Sequence, residues 1–207
     1  MSYYALDVER QAERLARTAV PGEFAERVGG PVKVVWSAAE AVAANTNGVH
    51  AAHTDDGAPE VLTTGITNPP CPRNITATAG GTAGDIKAIQ VLIEGTNFLD
   101  EAISETLPAF SVDTAGTVQG EKAFKTVTQI TIPAHDGTGA TTEIGWGDKL
   151  GLPYALEADT VLLATLAGTR EGTAPTVVAD DDEIEKNTID LSSALNGSEI
   201  TAYLLVG

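Results

Sequence analysis

The stretch EKAFKTVTQITIPAHDGTGATTEIGWGDKLGLP, residues 121–153, decides the fold. Its first half alternates with a period of two, as a strand with two unlike faces does. One face takes Phe124, Thr126, Thr128, Ile130 and Ile132, and the other takes Lys125, Val127, Gln129 and Thr131. A Gly/Thr-rich loop and a second strand-like run follow, so the stretch predicts a β-hairpin. Glycines on both sides of Trp146 predict a bulge or strand end that turns this ring into the core.

Short strand signals continue on both sides of this stretch. They occur in PVKVVW (31–36), GVHAAHT (48–54), PEVLTTGI (59–66), RNITATA (73–79), IKAIQVLIEG (86–95), EAISETLPAF (101–110), TVLLATLAG (160–168) and SEITAYLLVG (198–207). Their alternation predicts two inward sets, Ile89, Val91 and Ile93, and Ile200, Leu204 and Val206. The connections are too short for parallel crossovers. Residues 31–207 are therefore predicted to form a mainly β, antiparallel body, either a β-sandwich or a barrel-like structure.

The first 30 residues predict a different structure, a short N-terminal helical arm. Residues 2–18 carry a loose apolar stripe with alternating Glu and Arg, and VPGE (20–23) ends the helix. The stripe is too thin to stabilise an isolated helix, so we expect the arm to dock on its own body or on a neighbour. The side chains offered for partner contact are Tyr3, Tyr4, Leu6, Leu15 and Phe24.

Charge is the most informative bulk property. The chain of 207 residues has a formal net charge of −17 at pH 7. Residues 1–33 carry five acidic and five basic side chains, so the whole excess falls on residues 34–207. Such an acidic surface repels phosphates, which argues against direct binding of nucleic acid. No apolar run is long enough to span a membrane and no signal peptide is visible, so we expect synthesis and assembly in a cytosol.

The candidate chemical groups do not form a catalytic or metal-binding pattern. The lone cysteine, Cys71, fits a small buried residue in a Pro-rich bend. His50 and His53 are three residues apart, which a regular strand places on opposite faces, and zinc needs three or four converging ligands. The acidic run Asp180–Glu183 lacks the spacing of a calcium loop, so a solvated turn is the expected alternative to a cation site. No catalytic residue, cofactor or metal is predicted, and an enzyme is the least supported class.

Part of the chain resembles a known class of proteins. The run TTGITNPPCPRNITATAGGTAGDIKAIQVLIEGTNFLDEAISETLPAF and its continuation KAFKTVTQITIPAHDGTGATTEIGWGDKLGLP are similar to virion structural proteins of tailed bacteriophages. The marks are TGITNP, PRNI, IEGTN, ETL, KAFKTVTQITIP and GWGDKLGLP, and they fall within residues 45–155. Virion proteins with these motifs resemble capsid decoration (cement) proteins or minor capsid proteins, and some are tail components. The arm and the residues after Pro153 are not covered.

The resemblance implies a non-enzymatic head decoration protein on the outer capsid surface of the virion, assembled in the host cytoplasm. The expected partners are the major capsid protein and further copies of the chain itself, for instance in a trimer. Contact with nucleic acid or a membrane is not expected. Three alternatives stay open: a tail or connector structural protein, a surface carbohydrate-binding module for a host glycan, and an enzyme. Copy number per particle separates a head protein from a tail protein.

Overall fold

The computed structural model of the chain describes residues 30–206, and most of its regular structure is β-strand. The strands are β1 (Gly30–Trp36), β2 (Asn45–Thr54), β3 (Glu60–Leu62), β4 (Arg73–Gly81), β5 (Leu92–Thr96), β6 (Ala102–Thr106), β7 (Gly116–Phe124), β8 (Thr126–Ile132), β9 (Ala140–Gly151), β10 (Val161–Leu166), β11 (Thr169–Arg170), β12 (Thr176–Val178), β13 (Thr188–Asp190) and β14 (Ile200–Val206). Two short 3-10 helices are Ala83–Asp85 and Ile184–Lys186. The predicted arm, apart from Gly30, lies outside the described residues.

The strands form three sheets in which every pairing is antiparallel. Sheet A has the strand order β1-β14-β10-β11, and sheet C has the order β3-β8-β5-β6. Sheet B has the order β12-β13-β9-β4-β7, and β2 also pairs with β9. The prediction of a mainly β, antiparallel, sandwich-like body is confirmed.

Strand β9 connects the two halves of the body. It is 12 residues long, and β4 pairs along it from Gly81 opposite Ala140 to Arg73 opposite Leu150. On the other edge of β9, β2 pairs with the first part and β13 with Leu150 and Gly151. One strand therefore contributes side chains to two separate hydrophobic cores.

The first core lies between sheets B and C, and the second core lies between sheet A, the end of sheet B and several loops. The buried residues of the first core are Val49, Ile75, Ala77, Ala79, Ile86, Ile89, Val91, Ile93, Leu107, Phe110, Phe124, Val127, Ile130, Ile132, Ala140 and Ile144. Those of the second core are Trp36, Ala41, Cys71, Leu150, Leu152, Leu156, Ala164, Ile189, Leu191, Leu195, Ile200, Ala202 and Leu204. Both predicted inward sets lie in or against these cores, with Val206 half-buried at the edge of the second.

The predicted β-hairpin of residues 121–153 is wrong, because β8 belongs to sheet C and β9 to sheet B. The loop HDGTG between them is held by a distant segment. The Gly139 N–H donates to Asp85 Oδ2 at 3.0 Å, and the Gly139 carbonyl accepts the Thr82 N–H at 2.8 Å. With these contacts the loop connects β8 in sheet C to β9 in sheet B, so the two strands do not pair with each other.

The predicted alternation along residues 124–132 is only partly right. Three residues of the first predicted face are buried in the first core: Phe124, Ile130 and Ile132. Val127, which was predicted on the opposite face, is buried with them. The pairing of β5 with β8 shifts register just before Gly95, where a Cβ atom would lie 1.9 Å from the Thr126 carbonyl oxygen. The strands approach closely at this irregularity, and the phase of the alternation changes there.

Candidate interaction surface

The five side chains predicted for partner contact lie outside the described residues. Tyr3, Tyr4, Leu6, Leu15 and Phe24 all precede the described residues. The segment that carries them joins the body at Gly30, the first residue of β1, and β1 is an edge strand of sheet A. Sheet A is therefore the part of the body to which this segment is attached.

His135 is the histidine that the fold buries. Its Nδ1 accepts a hydrogen bond from the Lys87 N–H at 3.1 Å, and its Nε2 lies 3.1 Å from Thr142 Oγ1. An Nδ1 that accepts a hydrogen bond carries no proton, so the ring is neutral and Nε2–H donates to the threonine. Burial lowers the pKa of His135, against the opposing charges of Asp55 and Asp136. This environment fits a structural group more closely than a catalytic one.

The other two histidines do not assemble a metal site. His50 and His53 are half-buried on β2, with a register shift of the β2–β9 pairing between them. Within residues 30–206, no three His, Cys, Asp or Glu side chains converge as metal ligands would.

Lysines hold the acidic run Asp180–Glu183 in place. Lys186 contacts the carboxylates of both Asp180 and Glu183, and Lys122 Nζ lies 3.0 Å from Glu183 Oε1. Asp180 Oδ1 accepts the backbone N–H of Glu183 at 2.7 Å, and this hydrogen bond is the main reason that the pKa of Asp180 is lowered. The geometry is that of an acidic turn braced by two lysines.

Cys71 and Trp146 both pack against the hydrophobic cores. Cys71 is buried, as predicted, and burial raises the pKa of its thiol to about 11. Trp146 is half-buried rather than fully buried: it packs on the edge of the first core, and its Nε1–H donates to the Ala43 carbonyl at 3.2 Å. The ring covers Gly48, where a Cβ atom would lie 2.4 Å from the indole.

The outer face of sheet A carries several apolar side chains. Its members alternate with the side chains that enter the second core. They are Pro31, Lys33 and Val35 on β1, Thr201, Tyr203 and Leu205 on β14, Leu163 and Thr165 on β10, and Arg170 on β11, with Leu162 at the bulge beside them. Val35 is 43% exposed, Leu162 48% and Tyr203 37%.

Sheet B provides the contrast on the same molecule. Its strands β4, β7 and β9 place polar side chains opposite the first core, among them Thr78, Thr117, Gln119 and Glu143. Thr78 and Thr117 also bond to each other through their hydroxyl oxygens at 2.8 Å. This is the usual alternation of an antiparallel sheet with one solvated face. The outer face of sheet A departs from it, because most of its side chains are apolar.

The outer face of sheet A is also distinct in charge. None of the four strands of sheet A contains an acidic residue, although the chain has 29. Its two charged side chains are Lys33 and Arg170, and neither forms an ion pair with another residue of the described part of the chain. The face is therefore apolar and weakly cationic on an acidic body.

Sequence reasoning missed this face, although a signal was present. In SEITAYLLVG, Tyr203 and Leu205 belong to the set that alternates with the inward residues Ile200 and Leu204. Apolar side chains at both alternating sets of one strand are the mark of a strand covered on two sides.

The comparisons with known proteins add no relative: no protein-family model matches the chain, and neither a curated protein nor a solved structure matches it. Within the described part of the chain, no helix has the length and apolar character needed to cross a membrane.

Proposed function

We propose that this chain is a non-enzymatic structural protein of a tailed-phage particle, a head decoration protein that binds and stabilises the lattice of the major capsid protein from outside. The resemblance of residues 45–155 to virion structural proteins supports this function. The observation that carries it is the distribution of charge and apolar surface over the body, which favours attachment to a protein through one face.

The charge of the body favours the outside of a particle. Residues 30–206 carry 24 acidic and eight basic side chains, and six of the eight basic ones already form ion pairs within the body. A surface of this kind is repelled by packaged nucleic acid, since binding to phosphates depends on available cations. On the outer surface the same acidic groups face solvent, where they keep neighbouring particles apart.

The interlocked β body suits a protein that braces a shell. Side-chain contacts join separate parts of the body: Glu105 of β6 in sheet C accepts the Glu121 N–H of β7 in sheet B at 2.7 Å, and Asn97 beside β5 contacts Glu185 of the second 3-10 helix at 3.3 Å. Cross-links between sheets resist the shear that would separate them. We propose the major capsid protein as the partner, with additional contacts between copies of the chain, as in a trimer. Tyr3, Tyr4, Leu6, Leu15 and Phe24 are the proposed contact residues in the arm.

The test is to locate the protein in particles of the phage that encodes it. We expect hundreds of copies spread over the head, loss of that density in particles made without the gene, and re-binding when purified protein is added to those particles. A smaller number of copies at the tail or the connector would favour the tail or connector alternative. Particles that neither contain nor bind the protein would overturn the proposal.

A further inference from the structure

The outer face of sheet A leaves several apolar side chains exposed in the described body, although Thr201 between them is buried. Across the strands, Lys33 lies opposite Tyr203, which lies opposite Leu163, and Pro31 lies opposite Leu205. Isolated apolar side chains on a surface need no explanation, but a row of neighbours on one face indicates an interaction site. The outer face of sheet B is polar, as expected for a face in contact with water, so the apolar outer face of sheet A is not a general property of the sheets of this protein.

We propose that the outer face of sheet A is the docking face for the protein partner, and that it takes a flat apolar protein surface with carboxylates placed opposite Lys33 and Arg170. The inference rests on the proposed function, under which that partner is the major capsid protein.

Charge complementarity favours a foreign protein over a second copy. Two copies packed face to face about a two-fold axis would bring both Lys33 and both Arg170 side chains onto one small desolvated interface. Like charges repel most strongly where water is excluded. A partner with carboxylates at these positions would instead pair with both cations. Because the strands of sheet A contain no acidic residue, the contact would bury no carboxylate from them.

Chain connectivity attaches the arm to the same sheet. The proposed contact residues of the arm precede Gly30, and Gly30 begins the edge strand of sheet A. The arm and the outer face are therefore adjacent in the chain. A single partner surface can contact both, and once one contact has formed the other forms within the same complex, which strengthens overall binding.

The first experiment compares two substitutions that add the same charge. Val35→Glu places a carboxylate on the outer face of sheet A, and Gln119→Glu places one on the exposed outer face of sheet B. Binding is measured as saturation of particles that lack the protein. We expect Val35→Glu to weaken binding about tenfold or more, as loss of a central apolar contact does, and Gln119→Glu to bind like the original chain.

The second experiment tests whether the face is open in the free full-length protein. Val35→Cys and Gln119→Cys are each treated with a maleimide before and after binding to particles. The natural thiol, Cys71, is buried and stays silent in both. We expect both introduced thiols to react quickly in the free protein, and only the thiol at position 35 to become protected in the bound protein.

The two experiments distinguish failure of the proposed function from failure of the proposed docking face. If the original chain does not bind particles, the proposed function fails and this assignment fails with it. If the original chain binds and both glutamate variants bind equally well, the docking face is wrong and the proposed function stands. If the thiol at position 35 is already protected in the free protein, the face is covered by the arm or, where protection grows with protein concentration, by a second copy. Either result overturns the assignment.

Discussion

The two hydrophobic cores of this protein are closed in different ways. The first core lies between sheets B and C, and the loop residues that border it bond to each other through the backbone: the Leu107 N–H donates to the Val91 carbonyl at 2.8 Å, and the Phe110 N–H donates to the Ile89 carbonyl at 3.2 Å. The second core has sheet A on one side, but on the other it is covered largely by loops, which carry Ala41, Cys71, Leu156 and Leu195. Loop backbone has no ladder, and around this core several of its polar groups are bonded by side chains.

Two buried polar side chains supply those partners. Asn187 Oδ1 accepts the N–H groups of Leu156 and Asp180, both at 3.0 Å, and its Nδ2 donates to the carbonyls of Asp180, Glu183 and Ile184. Arg73 is fully buried and donates to the carbonyls of Val42 and Gly147. Apolar packing between sheets closes the first core, and polar anchors to loops close the second.

The largest effect is expected from truncating a side chain of the first core. Phe124 is fully buried, so Phe124→Ala should lower the free energy of unfolding by about 3–5 kcal/mol through lost burial and a residual cavity. Chemical denaturation measures this loss. Phe98→Ala is the control, because Phe98 is 40% exposed on a turn and its truncation should change stability far less. Equal losses in the two variants would contradict the role given to packing.

The next largest effect is expected from the polar anchor of the second core. Asn187→Ala removes one side chain but leaves two N–H groups and three carbonyls without that partner, so we expect a loss of about 2–4 kcal/mol in unfolding free energy. Asn196→Ala is the matched control, since Asn196 is exposed and accepts a single hydrogen bond from the Ser198 N–H. If the two alanine variants unfold at the same denaturant concentration, the second core does not depend on its anchor.

The two cores also differ in how much of each could be predicted from the sequence. Inward residues such as Ile89, Val91 and Ile93 followed from alternation, because the period of two is a local property of a strand. The anchor role of Asn187 did not, because no local pattern separates it from Asn196. The separation of β8 from β9 depends on Asp85, about fifty residues away in the chain, which holds the connecting loop. The outer face of sheet A did not follow from the sequence, because it is assembled from residues 30–36, 161–170 and 200–206, and their pairing is not a local property of any one strand.

A third prediction sharpens the comparison at the rim of the first core, where Trp146 lies over Gly48. Because the ring is half-buried, Trp146→Ala should reduce stability by about 2 kcal/mol, less than truncation of a fully buried aromatic residue. Gly48→Ala should be destabilising on its own, since the new Cβ would collide with the indole. In the Trp146→Ala background the same change should be nearly neutral, and this non-additivity in a double-mutant cycle is the measurement. Additive losses would place the ring away from Gly48.

The smallest effect concerns His135, a polar group at the edge of the first core. Its pKa is lowered below the ordinary value of 6.5 because burial disfavours the charged ring. The unfolded chain therefore takes up the proton at a higher pH than the folded protein does. Between those two pKa values the unfolded state binds more protons, so stability rises with pH. The contribution of the neutral ring is complete above about pH 6.5 and is lost as the pH falls below that value.

The measurement is the difference in unfolding free energy between the original chain and His135→Gln, taken from pH 8 to pH 5. Glutamine can accept at one side-chain atom and donate at another, as the neutral ring does toward Lys87 and Thr142, but it does not titrate. The many carboxylates titrate in both proteins, so the difference between them isolates the histidine. We expect the original chain to lose stability relative to the variant on acidification. A constant difference would mean that the ring titrates alike in the folded and unfolded states. A difference comparable to that of Asn187→Ala would break the comparison itself, because the first core would then also depend on a polar anchor.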